Sequence, residues 1–199
     1  MRILVVSDTH RDFSALHHAV QTQPKAEIVL HLGDGEEELM QIKPMFPEKM
    51  IVGVRGNCEF GSLLPWEEEL SVEGKKIFFT HGYTYQVKMT LYNLECAARD
   101  RKADIALDGH THQAEIEYRD GLYLMNPGSL HGSYGTYGII DITPAGLVPN
   151  KGHTQKSYKL SSGVRTCPVG VLQTWKDTDH RRCSHRLVRN AAFFEQNVP

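Results

Sequence analysis

The amino-acid sequence predicts an α/β fold in which two sheets form a sandwich, and three observations carry that expectation. Five short β-branched or aliphatic runs, Ile3–Val6, Ile28–Leu30, Ile51–Val54, Ile77–Phe79 and Ile105–Leu107, are long enough for buried strands and too short for helices. Through about residue 55 these runs alternate with segments of helical spacing. Beyond it the pattern turns hairpin-like, with strand-length runs separated by turn dipeptides.

The elements follow in order. Ile3–Val6 is the first strand, and after Asp12 the residues Phe13, Leu16 and Val20 recur at helical spacing. His17 and His18 on that helix are read as surface or flank positions without a function. Ile28–Leu30 is the second strand. Glu36, Glu37 and Glu38 read as the exposed first turn of a helix, where acids favour the positive end of the dipole. Ile51–Val54 gives the third strand, and Glu67–Glu69 an exposed strand or turn. Between the strands at Ile77–Phe79 and Ile105–Leu107, Tyr92, Leu94 and Ala98 predict a helix within Gln86–Lys102. Residues 113–142 read as three strands with turns at Asp120-Gly121 and Pro127-Gly128.

Seven candidate metal ligands fall in five short blocks, most of them directly after those runs: Asp8 and His10, Asp34, Asn57, His81, and His110 with His112. Open α/β sheets place ligand sites at the carboxyl ends of strands, so residues distant in sequence can converge on one point. Seven carboxylate, amide and imidazole ligands exceed what one cation uses and suit two. In such a centre a carboxylate bridges ions roughly 3.5 to 4 Å apart and a shared water becomes the nucleophile. Asp34 is the natural bridge, because Gly33 and Gly35 beside it let the backbone pass close to the ions. Asp108, just before Gly109-His110, reads either as a carboxylate orienting a ligand imidazole through its other ring nitrogen or as a solvated strand end.

In combination, SDTH (Ser7 to His10), GDG (Gly33 to Gly35), RGNCE (Arg55 to Glu59), THG (Thr80 to Gly82) and GHTH (Gly109 to His112) resemble the calcineurin-like metallophosphoesterases. Cys58, with NPGS at Asn126 to Ser129, narrows the likeness to the small YfcE-type phosphodiesterases. The resemblance covers roughly residues 1 to 148. It implies a four-layer αββα sandwich, with Asp8, His10 and His112 on a first metal, Asn57, His81 and His110 on a second, and Asp34 bridging. Asp34, Asn57 and His81 are then the catalytic core of a dinuclear phosphoric diester hydrolase. Mn2+ is the metal the resemblance favours, and Ni2+, Co2+, Fe2+ or Zn2+ also suit the ligand set.

Family members with a histidine after the asparagine use it to protonate the leaving oxygen or stabilise the transition state. Cys58 stands there instead, and a neutral thiol is a poorer acid than an imidazolium. Substrates with acidic leaving groups, such as aryl diesters or activated nucleotides, are therefore expected. Arg55, Cys58 and His131 are the candidate substrate contacts; Arg55 reads equally as a strut behind the site. Related proteins often carry a Pro-Arg pair beyond NPGS, where this chain reads LHGSYGTYG.

Composition fits a globular enzyme: 199 residues, 40% hydrophobic and 23% charged. Cysteines at 58, 96, 167 and 183 show no disulfide framework, which points to a cytoplasmic protein. The amino terminus enters a strand directly, so no signal peptide is expected, and no apolar run is long enough to span a membrane. The charge divides unevenly. Residues 1–149 carry 13 basic and 21 acidic residues, net −8, whereas residues 150–199 carry 9 and 3, net +6. Residues 1–149 are therefore expected to form the catalytic domain and 150–199 a basic extension, disordered or loosely docked. Cys167, Cys183 and His185 in it lack the pairing of a zinc module. Its charge leaves nucleic-acid binding open, as the sequence leaves a homo-oligomer open. Two functions stand: hydrolysis of a small phosphodiester or nucleotide, and a scaffold or protein-interaction module on the same fold, like the retromer subunit of eukaryotes. All seven ligands are present, which favours the enzyme.

Overall fold

The computed structural model describes residues 1–154. Along the chain run β1 (Arg2–Val6), α1 (Phe13–Thr22), β2 (Ile28–His31), α2 (Glu36–Ile42), β3 (Met50–Gly53), β4 (Glu67–Val72), β5 (Lys75–Thr80), α3 (Tyr92–Asp100), β6 (Ile105–Leu107), β7 (Ala114–Arg119), β8 (Leu122–Pro127), β9 (Thr136–Thr143) and β10 (Gly146–His153). They form two five-stranded sheets, ordered β10-β9-β1-β2-β3 and β4-β5-β6-β8-β7. The centre of each sheet is parallel, β1 with β2 and β3 in the first and β5 with β6 and β8 in the second. The carboxyl ends of these strands open toward the ligand blocks.

Alternation along the strands builds the layers. Ile3, Val5, Ile28 and Leu30 face Ile77, Phe79, Ile105 and Leu107 in the core between the sheets. Leu4, Val6 and Val29 turn the other way, onto Leu16, Ala19 and Val20 of α1. Phe78, Ala106 and Leu124 do the same against Leu94 and Ala98 of α3. The result is helix, sheet, sheet, helix, the expected αββα sandwich. Asp12 caps α1, its Oδ1 accepting from the Ala15 N–H at 3.0 Å.

Helix α3, Tyr92–Asp100, lies within the expected Gln86–Lys102, after turns in which Gln86 takes a φ of +55°. Two local expectations need correction. Glu38 is not exposed: it is 3% accessible, and its carboxylate accepts the Arg11 N–H. Strand β10 was not expected at all. It pairs with β9 from Gly146↔Thr143 to His153↔Thr136, past the boundary at residue 149. Its polar Pro149-Asn150-Lys151-Gly152 run hides it, and it can hold a proline because it is a sheet edge, where a missing N–H costs no ladder bond. The acidic β4 is likewise an edge. Among the described residues no helix is long and apolar enough to cross a membrane. The basic extension, with Cys167, Cys183 and His185, falls outside the described residues from 155 onward.

Candidate metal centre

The five blocks meet because backbone hydrogen bonds tie one loop to the next. The Asp8 N–H donates to the Gly33 carbonyl and that of His10 to the Asp34 carbonyl, both at 3.0 Å. The Gly109 N–H donates to the His81 carbonyl at 3.1 Å, and the Leu130 N–H to the Ser7 carbonyl at 3.0 Å. Asp8, His10, Asp34, His110 and His112 all have positive φ, between 44° and 65°. Left-handed backbone is uncommon outside glycine and collects at functional sites that the surrounding fold over-determines. Glycine is required where loops cross. Gly33 has a φ of +97°, and a Cβ on it would lie 2.6 Å from the Gly56 nitrogen; one on Gly56 would lie 2.0 Å from Asp34 Oδ1.

Ligand atoms of Asp8, His10 and His112 lie within 4.8 Å of one another, as do those of Asp8, Asp34 and His81. Asn57 and His110 join through His81: Asn57 Oδ1 is 3.0 Å from His81 Nε2, and the His81 and His110 rings are 5.0 Å apart. All seven expected ligands are thus brought together, and Cys58 groups with His10 and Asp34.

Two features fit a cation here. Asp8 Oδ2 accepts from Ser7 Oγ at 2.5 Å and from the His110 N–H at 3.1 Å, but Oδ1, fully buried, has no hydrogen-bond partner. Such an orphan is costly unless a positive group meets it, and His10 Nε2 and His112 Nε2 stand 3.7 and 3.1 Å from it. The second feature is the orientation of His81. His81 Nδ1 lies 2.7 Å from the Leu32 carbonyl, which can only accept, so the proton sits on Nδ1. His81 Nε2 faces Asn57 Oδ1 at 3.0 Å and Asp34 Oδ2 at 3.5 Å. An imidazole nitrogen, an amide oxygen and a carboxylate are together ligand types of a divalent cation, and the Leu32 carbonyl orients the imidazole from behind.

Electrostatics keep Asp34 charged. Burial pushes the Asp34 carboxyl up, but the Cys58 N–H on Oδ1 at 2.9 Å and the neighbouring His81 hold it below the usual carboxylate range. Burial, then the Asp34 carboxylate, push the Cys58 thiol up to about 11. Burial pushes Asp108 up to about 7, against a hydrogen bond from Asn126. Asp108 is 2% accessible, so the solvated reading fails, and its recorded side-chain partner is Asn126 rather than an imidazole.

The candidate substrate contacts separate. His131 is exposed at the mouth, its ring 6.2 Å from that of His10. Cys58 is exposed beside Asn57. The Arg55 guanidinium donates to the Glu59 carbonyl at 2.8 Å and the Ser62 carbonyl at 3.3 Å and stacks over Trp66 at 4.2 Å.

Sequence reasoning missed the supports. Asn126 Nδ2 donates to Asp108 Oδ2 and the Gly109 carbonyl, both at 2.7 Å, and Ser129 Oγ donates to the Asp8 carbonyl at 2.9 Å. The NPGS segment therefore fixes both the His110–His112 loop and the Asp8 loop. Buried His31 accepts the Gly33 N–H on Nδ1 and meets Thr9 Oγ1 at 3.2 Å through Nε2; burial pushes its pKa down to about 4, so it is neutral. Tyr83, also unforeseen, stands edge-on to His110 at 5.4 Å. The motif residues among these were visible as residues, while their partners were not.

Comparison with known proteins agrees with this geometry. Residues 1–144 match the calcineurin-like phosphoesterase superfamily domain. The probable metallophosphoesterase YsnB of Bacillus subtilis is 34% identical over 133 residues, covering 65% of this chain and 75% of YsnB. The phosphodiesterase YfcE of Escherichia coli K12 is 26% identical over 170 residues, covering 71% and 88%. A Vps29 variant from Entamoeba histolytica shares the fold, with a TM-score of 0.60 at 18% identity over 78% of this chain and 100% of that one.

Proposed function

The chain belongs to the calcineurin-like phosphoesterase superfamily, and from that premise we propose that it is a dinuclear metal-dependent phosphodiesterase acting on small phosphodiesters or nucleotides. The observation that carries the reading is the buried, unpartnered Asp8 Oδ1 within a cluster that gathers all seven candidate ligands. Asp8, His10 and His112 would hold one ion and Asn57, His81 and His110 the other, with Asp34 shared. When bound, the two ions, Mn2+ foremost, supply Lewis acidity toward the phosphoryl oxygens and lower the pKa of the attacking water.

The chain's own residues divide the remaining work. Asp34 stays ionised and fixes the spacing of the centre. The Leu32 carbonyl keeps the His81 proton on Nδ1. His131 at the mouth is within reach of a substrate substituent, and Arg55 acts behind the site. Cys58, next to Asn57, offers only a neutral thiol to the leaving oxygen, so the departing group must be acidic itself, as an aryl oxide is. We place the protein in the cytoplasm, in keeping with free Cys58 and Cys96.

The second reading, a scaffold on the same fold, draws on the likeness to Vps29, which extends to the fold alone. The intact ligand set weighs against it. Full-length protein freed of metal with a chelator and reloaded with Mn2+ is expected to hydrolyse bis(p-nitrophenyl) phosphate, and the chelated protein to be inactive. A folded, Mn2+-loaded protein without turnover would favour the scaffold.

A further inference from the structure

Glu59 lies behind the centre and touches no ligand side chain, yet its carboxylate joins the two loops that carry Asp34 and Asn57. Oε1 accepts the Gly35 N–H at 2.6 Å and also the Glu36 N–H, at the start of α2. Oε2 accepts the Gly56 N–H at 2.6 Å. Three backbone donors from two loops thus converge on one carboxylate, at the crossing where Gly33 and Gly56 leave no room for a side chain. The carboxylate is itself held, because Arg55 donates to the Glu59 carbonyl while stacked on Trp66. The Cys58 N–H then reaches Asp34 Oδ1, closing the same junction from the other side.

We infer that Glu59 is a positioning residue for the second metal: it sets Asn57 against Asp34 and so determines whether the second ion binds. The inference rests on the dinuclear reading. Its logic is hydrogen-bond polarity. A carboxylate only accepts, so it satisfies donors on both oxygens. In Glu59→Gln one end becomes an NH2 group facing either Gly56 N–H or the Gly35 and Glu36 N–H pair, donor against donor, and one loop must move. The first site has further bonds of its own, Ser7 and Ser129 at Asp8 and Asn126 at the Gly109 carbonyl, and reaches this carboxylate only indirectly, through the Asp8 and His10 N–H bonds to the Gly33 and Asp34 carbonyls. The loss should therefore fall on one ion.

The test is calorimetric titration of the chelated full chain with Mn2+. Wild type is expected to bind two equivalents. Glu59→Gln should keep one at wild-type affinity and bind the other about 10- to 100-fold more weakly, the usual cost of removing a support behind a metal ligand. Glu59→Asp keeps the charge but shortens the reach; it should weaken the same equivalent and carries the test if Glu59→Gln does not fold. Two unchanged equivalents in these variants would overturn the inference. So would an equal loss at both sites, the mark of a merely structural residue. A wild type that binds a single equivalent would remove the dinuclear reading first, before any substitution is made.

Discussion

Replacing Asn126 with alanine should cost this fold much of its margin, and the magnitude can be worked from the contacts. Asn126 is 5% accessible, and its amide donates at 2.7 Å to both the Asp108 carboxylate and the Gly109 carbonyl, while its oxygen accepts the Gly128 N–H at 2.9 Å. Alanine strands all three partners. Each buried group left without a partner costs roughly 1–3 kcal/mol, a charged one more, and entering water returns part of it. A net loss of about 3–5 kcal/mol follows, against a typical domain stability of roughly 5–15 kcal/mol. The assay is urea unfolding of the chelated protein at neutral pH, comparing wild type with Asn126→Ala at equal m-value. The loop that carries His110 and His112 loses its anchor as well, so Mn2+ should protect the variant less than wild type. A loss below about 1 kcal/mol with unchanged Mn2+ protection would show that Asn126 is not the hinge pin of that loop.

The other expectations concern the leaving group, the sheet edge and acid stability. Cys58→His should raise the monoester rate relative to the aryl diester rate by about 100-fold, the low side of what a positioned general acid contributes; an unchanged ratio in a folded variant would remove position 58 from substrate choice. A chain ending at Thr154 should keep Mn2+ binding and diester turnover, whereas one ending at Pro149 loses the pairing of residues 150–153 with β9 and should melt lower; equal melting temperatures would mean that this pairing adds nothing. The Arg2 guanidinium donates to both Asp141 oxygens, at 2.7 and 2.8 Å, and holds that carboxyl below its ordinary 3.8. A depressed folded pKa gives stability that is present above the ordinary value and lost as pH falls through the folded one. The melting-temperature gap between wild type and Asp141→Asn should therefore be open at pH 7 and close under strong acid; a gap that persists there would contradict the assignment.

The central strands and the candidate ligands were legible in the sequence for one reason, while the layering came from the family resemblance. A parallel strand buried on both faces reads as a continuous aliphatic run, and the residue that ends it at the sheet edge is where a ligand stands. Ile3–Val6 before Asp8, and Ile105–Leu107 before His110, show this directly. Strand β10 was hidden because an edge strand with one face on the core needs few apolar residues and tolerates Pro149. The supports were hidden for a different reason. Glu59 and Asn126 stand inside the quoted motifs, but a carboxylate or amide announces only how many hydrogen bonds it can make. Which backbone N–H it meets is decided when the loops close. Arg55 shows the same limit, since the Glu59 and Ser62 carbonyls and the Trp66 ring around its guanidinium could not be named from the sequence.

The most direct measurement of the central claim compares wild type and Asp34→Ala for bound Mn2+ and for aryl phosphodiester turnover in the same preparations. Asp34 lies between the His81 side of the centre and the Asp8–His10–His112 side. Its loss should therefore reduce binding from two equivalents to at most one and nearly abolish turnover, while the apo protein remains folded. If Asp34→Ala still binds two equivalents and turns over at a near-native rate, the bridged dinuclear centre described here is wrong.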